Sequence, residues 1–267
     1  MIKQNDILRF SKWEGLGNDF VLIDRVTDRG PLLDAARVRA LCDRRRGIGA
    51  DGVLVVDRAG GAWRMQVFNA DGSTSEMCGN GLRCVAMHLA DRHGFKGGPV
   101  ETGAGPLAVE LVPGGVTVAM GAARSLGQVR LEVAGTTVEG HHVRLGNPHF
   151  VLFGRWSNAV FERLGPALAT HPHFPEGVNV SFATLPDAKG ARIELRVWER
   201  GAGPTLACGT GACATVAAAW WERSVPAAEV AVALPGGELQ VSGDASGLLM
   251  RGPARRVFEG KVELSGP

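Results

Sequence analysis

No apolar run in the chain approaches the roughly 20 residues that a membrane-spanning helix needs, and the N-terminal stretch lacks the apolar core of a signal peptide. A cytosolic location is expected. Charge of one sign is also missing: 29 Lys and Arg stand against 27 Asp and Glu, for a formal net charge of +2. That field is too weak to argue for nucleic acid or a membrane surface as partner. The one basic run, Arg44-Arg45-Arg46, follows a helical-looking segment at 33–42 and reads as solvated cations at a helix C-terminus. Five cysteines, Cys42, Cys78, Cys84, Cys208 and Cys213, are odd in number and contain no C-x-x-C pair. This speaks against a disulfide framework and a zinc ribbon, so reduced thiols are expected. What remains is a globular composition, 45% apolar and 21% charged, in 267 residues, enough for two domains with separate cores.

Two of the cysteines stand in matching contexts. Glu199-Arg200, a glycine loop and Ala207-Cys208-Gly209-Thr210-Gly211 lead into an Ala-rich apolar run. Met77-Cys78-Gly79-Asn80-Gly81-Leu82-Arg83-Cys84 leads into another, 130 residues earlier. The turn Gly17-Asn18-Asp19-Phe20 returns 129 residues later as Gly146-Asn147-Pro148-His149-Phe150, and Asn69 and Glu199 each precede their cysteine by nine. Chance glycine-rich loops would keep no such register, so the pattern indicates two similar halves. The expected boundaries are 1–122 and 123–256, with 257–267 as a final strand able to pair back onto the first half.

Strand-like alternation recurs throughout, as in 63–67 and in Ile193, Leu195 and Val197, bounded by glycine-rich turns. Helices are expected from about Asp34 to Cys42, from the Cys78 loop to about Arg92, over 161–169, and from the Cys208 loop to about Arg223. The segment 212–220 is apolar nearly all round and must be covered on several sides. The fold class is therefore α/β of the α+β type: two pseudo-symmetric halves, each a curved, mostly antiparallel sheet wrapped around a central helix, with a cleft between them.

The first turn of a helix presents backbone N–H groups with no helical partner, which bind an anion and stabilise a thiolate. Two such thiols reaching one molecule from opposite faces suit racemisation or epimerisation. One acts as thiolate base and the other as thiol acid, and a planar carbanionic intermediate is reprotonated on the far face.

The two cysteine loops, together with Gly-Asn-Asp-Phe, Gly-Ile-Gly-Ala-Asp-Gly, Phe-Asn-Ala-Asp-Gly-Ser, Gly-Asn-Pro-His, Gly-Val-Asn-Val and Trp-Glu-Arg-Gly, resemble the diaminopimelate epimerase family, in the family's order over residues 17–213. The resemblance implies interconversion of LL- and meso-2,6-diaminopimelate for lysine and cell-wall precursors, without pyridoxal phosphate or any other cofactor and without a metal, in a cytoplasmic enzyme able to form a homodimer. It implies Cys78 and Cys208 as the acid/base pair, assisted by His149 and Glu199. Gly79, Asn80, Gly209 and Thr210 would contact the reacting carboxylate. Asn18, Asn69, Asn147, Asn179, Glu199 and Arg200 would bind the remaining substrate groups. Gly52 departs from the pattern, since some members carry Gln there; water or Asn18 would then compensate.

Plainer readings stand beside these. Cys42, Cys84 and Cys213 read as small buried hydrophobes. Asn18 and Asn179 could serve only their turns. His141, His142, His171 and His173 read as surface or loop residues, and Trp220-Trp221 as core packing. The rival functions are a proline or hydroxyproline epimerase, whose first loop typically has His after Cys-Gly, where Asn80 stands here; a thiol hydrolase using Cys208 and His149; and a non-catalytic anion-binding module.

Overall fold

The computed structural model describes residues 7–186, 190–225 and 229–264. The chain forms two compact units, Met1–Val118 with Pro253–Pro267 and Ala119–Gly252. The last three residues of the expected final segment 257–267 lie outside the described residues.

In the first unit the order is β1 (Ile7–Gly15), β2 (Asn18–Asp24), α1 (Ala35–Cys42), β3 (Gly52–Ala59), β4 (Ala62–Asn69), β5 (Thr74–Ser75), α2 (Gly79–His93), β6 (Gly98–Thr102), β7 (Gly105–Val112) and β8 (Gly115–Gly121). The second follows with β9 (Arg124–Val133), then β10 (Thr136–Leu145), β11 (Asn147–Phe153), α3 (Asn158–Ala169), β12 (Asn179–Thr184), β13 (Arg192–Glu199), β14 (Gly203–Thr205), α4 (Gly209–Trp221), β15 (Val230–Leu234), β16 (Gly237–Asp244) and β17 (Gly247–Gly252). β18 (Arg255–Glu263) closes the described chain and pairs antiparallel with β1.

The two orders coincide element for element, and so do the pairings. β2 runs parallel to β3 and β4 to β6, each across a helix; β11 runs parallel to β12 and β13 to β15, again across helices. Parallel neighbours require such crossovers, whereas the antiparallel pairs need only tight turns. β9 lies antiparallel on β10 as β18 does on β1.

Within each unit one helix packs on the outer face of the sheet and the other is enclosed. α1 places Val38, Leu41 and Cys42 against Val21, Ile23, Val53 and Val55. α3 places Phe161, Leu164 and Leu168 against Phe150, Val180 and Phe182. α2 and α4 lie on the opposite faces, touching strands from both ends of their own sheets. Strands with helices on both faces lose the alternation of a half-exposed sheet, and residues 20–23, 52–56, 148–152 and 179–183 are all buried in unbroken runs. β17, which has one wet face, alternates strictly.

Local signals set the helix starts. Asp34 Oδ1 accepts the Arg37 amide at 2.8 Å, and Ser157 Oγ accepts that of Val160 at 3.3 Å, three residues earlier than the periodicity placed the α3 start. α4 buries ten of its thirteen residues, as its uniform apolarity requires, because Ala side chains let strands approach on every side. Its end differs from expectation: Trp221 is 36% exposed, since the helix outruns the sheet that covers it.

Candidate active site

Each enclosed helix begins at a cysteine. Cys78 is the N-cap of α2, in extended backbone, and its Sγ accepts the Gly81 amide at 3.3 Å. Cys208 is the N-cap of α4, and its Sγ lies 3.6 Å from Thr210 Oγ1. The glycines after each cysteine keep the space beside sulfur. A Cβ on Gly81 would meet Leu54 at 2.9 Å and Cys78 Sγ at 3.4 Å, and one on Gly211 would meet Cys208 Sγ at 3.2 Å. Cys78 is half-buried and Cys208 is buried; Cys42, Cys84 and Cys213 are buried in helices and form no disulfide among the described residues. Burial pushes the Cys42 thiol up to about 11 and holds Cys84 well above the ordinary range, so neither is a ready nucleophile.

Around Cys78 the amides are linked in a chain. Asn80, buried in the first turn of α2, donates its Nδ2 to Asn18 Oδ1 at 3.2 Å, and Asn18 donates its own Nδ2 to Asp51 Oδ2 at 2.8 Å. Asp51 also accepts the Asp19 amide at 3.1 Å. Arg44 forks onto Asp19 Oδ1 at 2.6 Å and Asp51 Oδ1 at 2.7 Å, and buried Lys12 meets Asp19 Oδ2 at 2.6 Å. Burial alone would raise the Asp19 carboxyl; the bonds from Arg44 and Lys12 outweigh it and bring Asp19 down to about 2. Arg44 is therefore tied to two carboxylates, where sequence placed a solvated cation. Asp51, Asp19 and Lys12 were not singled out as site residues. The signal for Asp51 was its place inside Gly-Ile-Gly-Ala-Asp-Gly, read there only for its glycines.

Asn69 ends β4, pairs with Gly52 and donates to Ser73 Oγ at 2.9 Å. A Cβ at Gly52 would lie 2.5 Å from the Phe68 carbonyl oxygen. A glutamine cannot enter that position without moving β4.

The second unit groups the residues around Cys208 differently. Glu199 ends β13 and accepts the Thr205 hydroxyl at 2.7 Å. Burial, with the Glu199 charge added to it, pushes the Cys208 thiol well above its ordinary range, and the Thr210 hydroxyl and Gly211 amide only partly offset this. Cys208 therefore rests as a thiol, its proton kept by burial and by the nearby Glu199 charge. Asn179 is buried at the start of β12; its Oδ1 accepts the Arg200 amide at 2.9 Å and its Nδ2 donates to the Pro148 carbonyl at 3.4 Å. The Arg200 guanidinium donates to the Glu176 carbonyl oxygen.

His149 is fully buried in β11, and burial lowers its pKa to about 3. A neutral ring whose Nε2 lies 2.8 Å from Asn147 Oδ1 must donate there. Its Nδ1 has no hydrogen-bond partner among the described residues. The structure thus joins His149 to Asn147 rather than to a thiol. His141, expected at the surface, is buried in β10 with Nε2 2.5 Å from Glu222 Oε1.

The described residues include no helix long and apolar enough to cross a membrane. The family model for diaminopimelate epimerase matches residues 10–126 and 142–257. A diaminopimelate epimerase of Synechococcus sp. (strain JA-3-3Ab) is 44% identical over 95% of this chain and 97% of its own, and one of Synechocystis sp. (strain ATCC 27184 / PCC 6803 / Kazusa) is 41% identical over 96% and 99%. A hydroxyproline epimerase from Agrobacterium vitis, solved with trans-4-OH-L-proline, shares the fold with a TM-score of 0.75 at 15% identity, over 100% of this chain and 95% of that one. Two cysteine-capped helices in matching frames and near-complete matches at this identity lead to one conclusion: the chain belongs to the diaminopimelate epimerase family.

Proposed function

We propose that this chain interconverts LL- and meso-2,6-diaminopimelate by two-base proton transfer, with Cys78 and Cys208 as the acid/base pair and no cofactor. The observation that carries the reading is the recurrence of one device: a thiol capping an enclosed helix, beside the backbone amides of its first turn, in both units. The resting surroundings differ in a way that suits opposite roles. Each Sγ receives a first-turn amide, but Cys78 is only half-buried, where a thiolate is tolerated, while burial and the Glu199 charge keep the proton on Cys208. Cys78 then removes the α-proton and Cys208 delivers its own to the other face; in the reverse direction Glu199 takes up the Cys208 proton and frees the thiolate.

First-turn amides at Gly79, Asn80, Gly209 and Thr210 hold the reacting carboxylate and the charge that develops beside it. Asn18, Asn69, Asn147 and Arg200 contact the distal amino-acid group. Asn179 and His149 act through neighbours, the one by fixing Arg200 and the other by aiming Asn147. The duplicated halves, taken as 1–122 and 123–256, each contribute one thiol. The reading extends to a cytoplasmic homodimer, which light scattering on the purified chain tests; exposed Val257 and Phe258 on β18 are apolar surface of the kind such contacts cover.

An NMR assay with LL-diaminopimelate and with L-proline tests the assignment. Conversion of the first and not the second is expected, and turnover of proline alone would replace it with the imino-acid reading. Cys78→Ala and Cys208→Ala should each abolish conversion with unchanged circular dichroism.

A further inference from the structure

Three side chains converge at the end of α2 opposite to Cys78. Asp24, the last residue of β2, places Oδ2 3.1 Å from His88 Nε2 and 2.7 Å from His93 Nε2. The three ligand atoms all lie within 4.8 Å of one another, and the side chains are only 13%, 6% and 16% exposed. The carboxylate is held in orientation by the amides of Val26 and Thr27 on Oδ1, at 3.0 and 3.1 Å, and by the Thr27 hydroxyl on Oδ2 at 2.8 Å. Trp13 meets the His88 ring in an edge-type contact and Trp63 is tilted against the His93 ring, with ring centroids 6.0 and 5.0 Å apart.

We propose that Asp24, His88 and His93 form a binding site for a divalent transition-metal ion of the zinc class. Two imidazoles and one carboxylate are a borderline-soft donor set; calcium and magnesium call for more oxygen ligands. Ligands about 2.0–2.1 Å from a tetrahedral ion stand about 3.3 Å apart; the 3.1 and 2.7 Å separations of Asp24 from the two rings lie just inside that spacing, and the two Nε2 atoms are already within 4.8 Å of each other. Each Nε2 binds the ion through its lone pair, any proton there passing to solvent while Nδ1 keeps its own, and water completes the coordination. At about 1.5 Å rise per residue, His88 and His93 lie about 15 and 22 Å from Cys78 along α2. The ion therefore braces the end of β2 against the C-terminal end of α2 and takes no part in proton transfer.

Cysteine thiols also bind zinc, so the test uses the full chain carrying Cys78→Ala and Cys208→Ala, stripped with chelator. Zinc chloride is titrated calorimetrically with metal analysis of the dialysed protein, and cobalt chloride is followed by its absorption spectrum. The expected result is one equivalent bound, a cobalt spectrum of nitrogen and oxygen ligands, a raised Tm, and at least 100-fold weaker binding in His93→Gln. His88→Gln should behave likewise; if it fails to fold, His93→Gln at the helix end carries the test. Absence of uptake, a thiolate spectrum, or equal uptake by His93→Gln overturns the proposal.

Discussion

Asp51 Oδ2 accepts the Asn18 side chain at 2.8 Å, and Asn18 Oδ1 in turn accepts that of Asn80 at 3.2 Å. Residues at the start of β2, just before β3 and in the first turn of α2 thus orient one another beside Cys78, and Arg44 fixes the far end by bridging Asp51 to Asp19. A hydrogen bond to a charged group contributes about 1.5–3 kcal/mol. Asp51→Asn keeps the shape and removes the charge. It should lower kcat/KM by about 10- to 100-fold while the fold persists, because Arg44 retains Asp19. Steady-state kinetics beside circular dichroism make the check; unchanged kcat/KM would show that the chain does not orient the site.

Glu199 is charged with raising the Cys208 thiol, second only to burial. Removing that charge should favour the thiolate. In Cys78→Ala protein, the ultraviolet thiolate absorbance of Cys208 should therefore appear at lower pH once Glu199→Gln is added. Epimerisation by Glu199→Gln alone should fall, since no carboxylate then takes up the Cys208 proton. A shift of the thiolate titration to higher pH would refute the pairing.

His149 has a folded pKa of about 3 because it is buried, below its usual value of about 6.5. The unfolded chain therefore binds one more proton than the folded chain between those values. The neutral ring's stabilisation is complete above about pH 6.5 and falls by about 1.4 kcal/mol per pH unit as the pH drops toward 3. Urea unfolding at pH 5 and 6.5 should show a one-proton slope that His149→Asn removes. An identical slope in the variant would mean that the ring is protonated when folded. The same burial predicts that no His149 titration shapes the rate profile near neutrality.

Gly52→Gln restores the residue that some members of the family carry. Here its Cβ would stand 2.5 Å from the Phe68 carbonyl. Overpacking against backbone costs about 1–3 kcal/mol. The variant should melt several degrees lower and bind substrate no better. A lower KM with unchanged Tm would show that β4 yields freely.

Local rules made much of this fold legible. Asp34 announced α1, the uniform apolarity of 212–220 announced an enclosed helix, and the offset between the cysteine loops announced two matching frames. What stayed hidden depends on residues brought together from a distance. Arg44 reaches Asp19 across 25 positions and His141 reaches Glu222 across 81, so neither burial nor partner is written near them in the chain. The motif around His149 drew attention to it as a candidate. Its neutrality follows from a core closing around it, which no neighbour in sequence reveals.

The central claim is that two thiols share one α-carbon, each exchanging its own proton with solvent. With LL-diaminopimelate in deuterated water, mass spectrometry of both stereoisomers at low conversion tests it most directly. A thiol carries a single proton, so the base that removed hydrogen cannot scramble several. Early meso product should carry deuterium at the inverted carbon while recovered LL substrate stays nearly unlabelled. Label appearing as fast in recovered substrate as in product would contradict the account and assign the chemistry to one base.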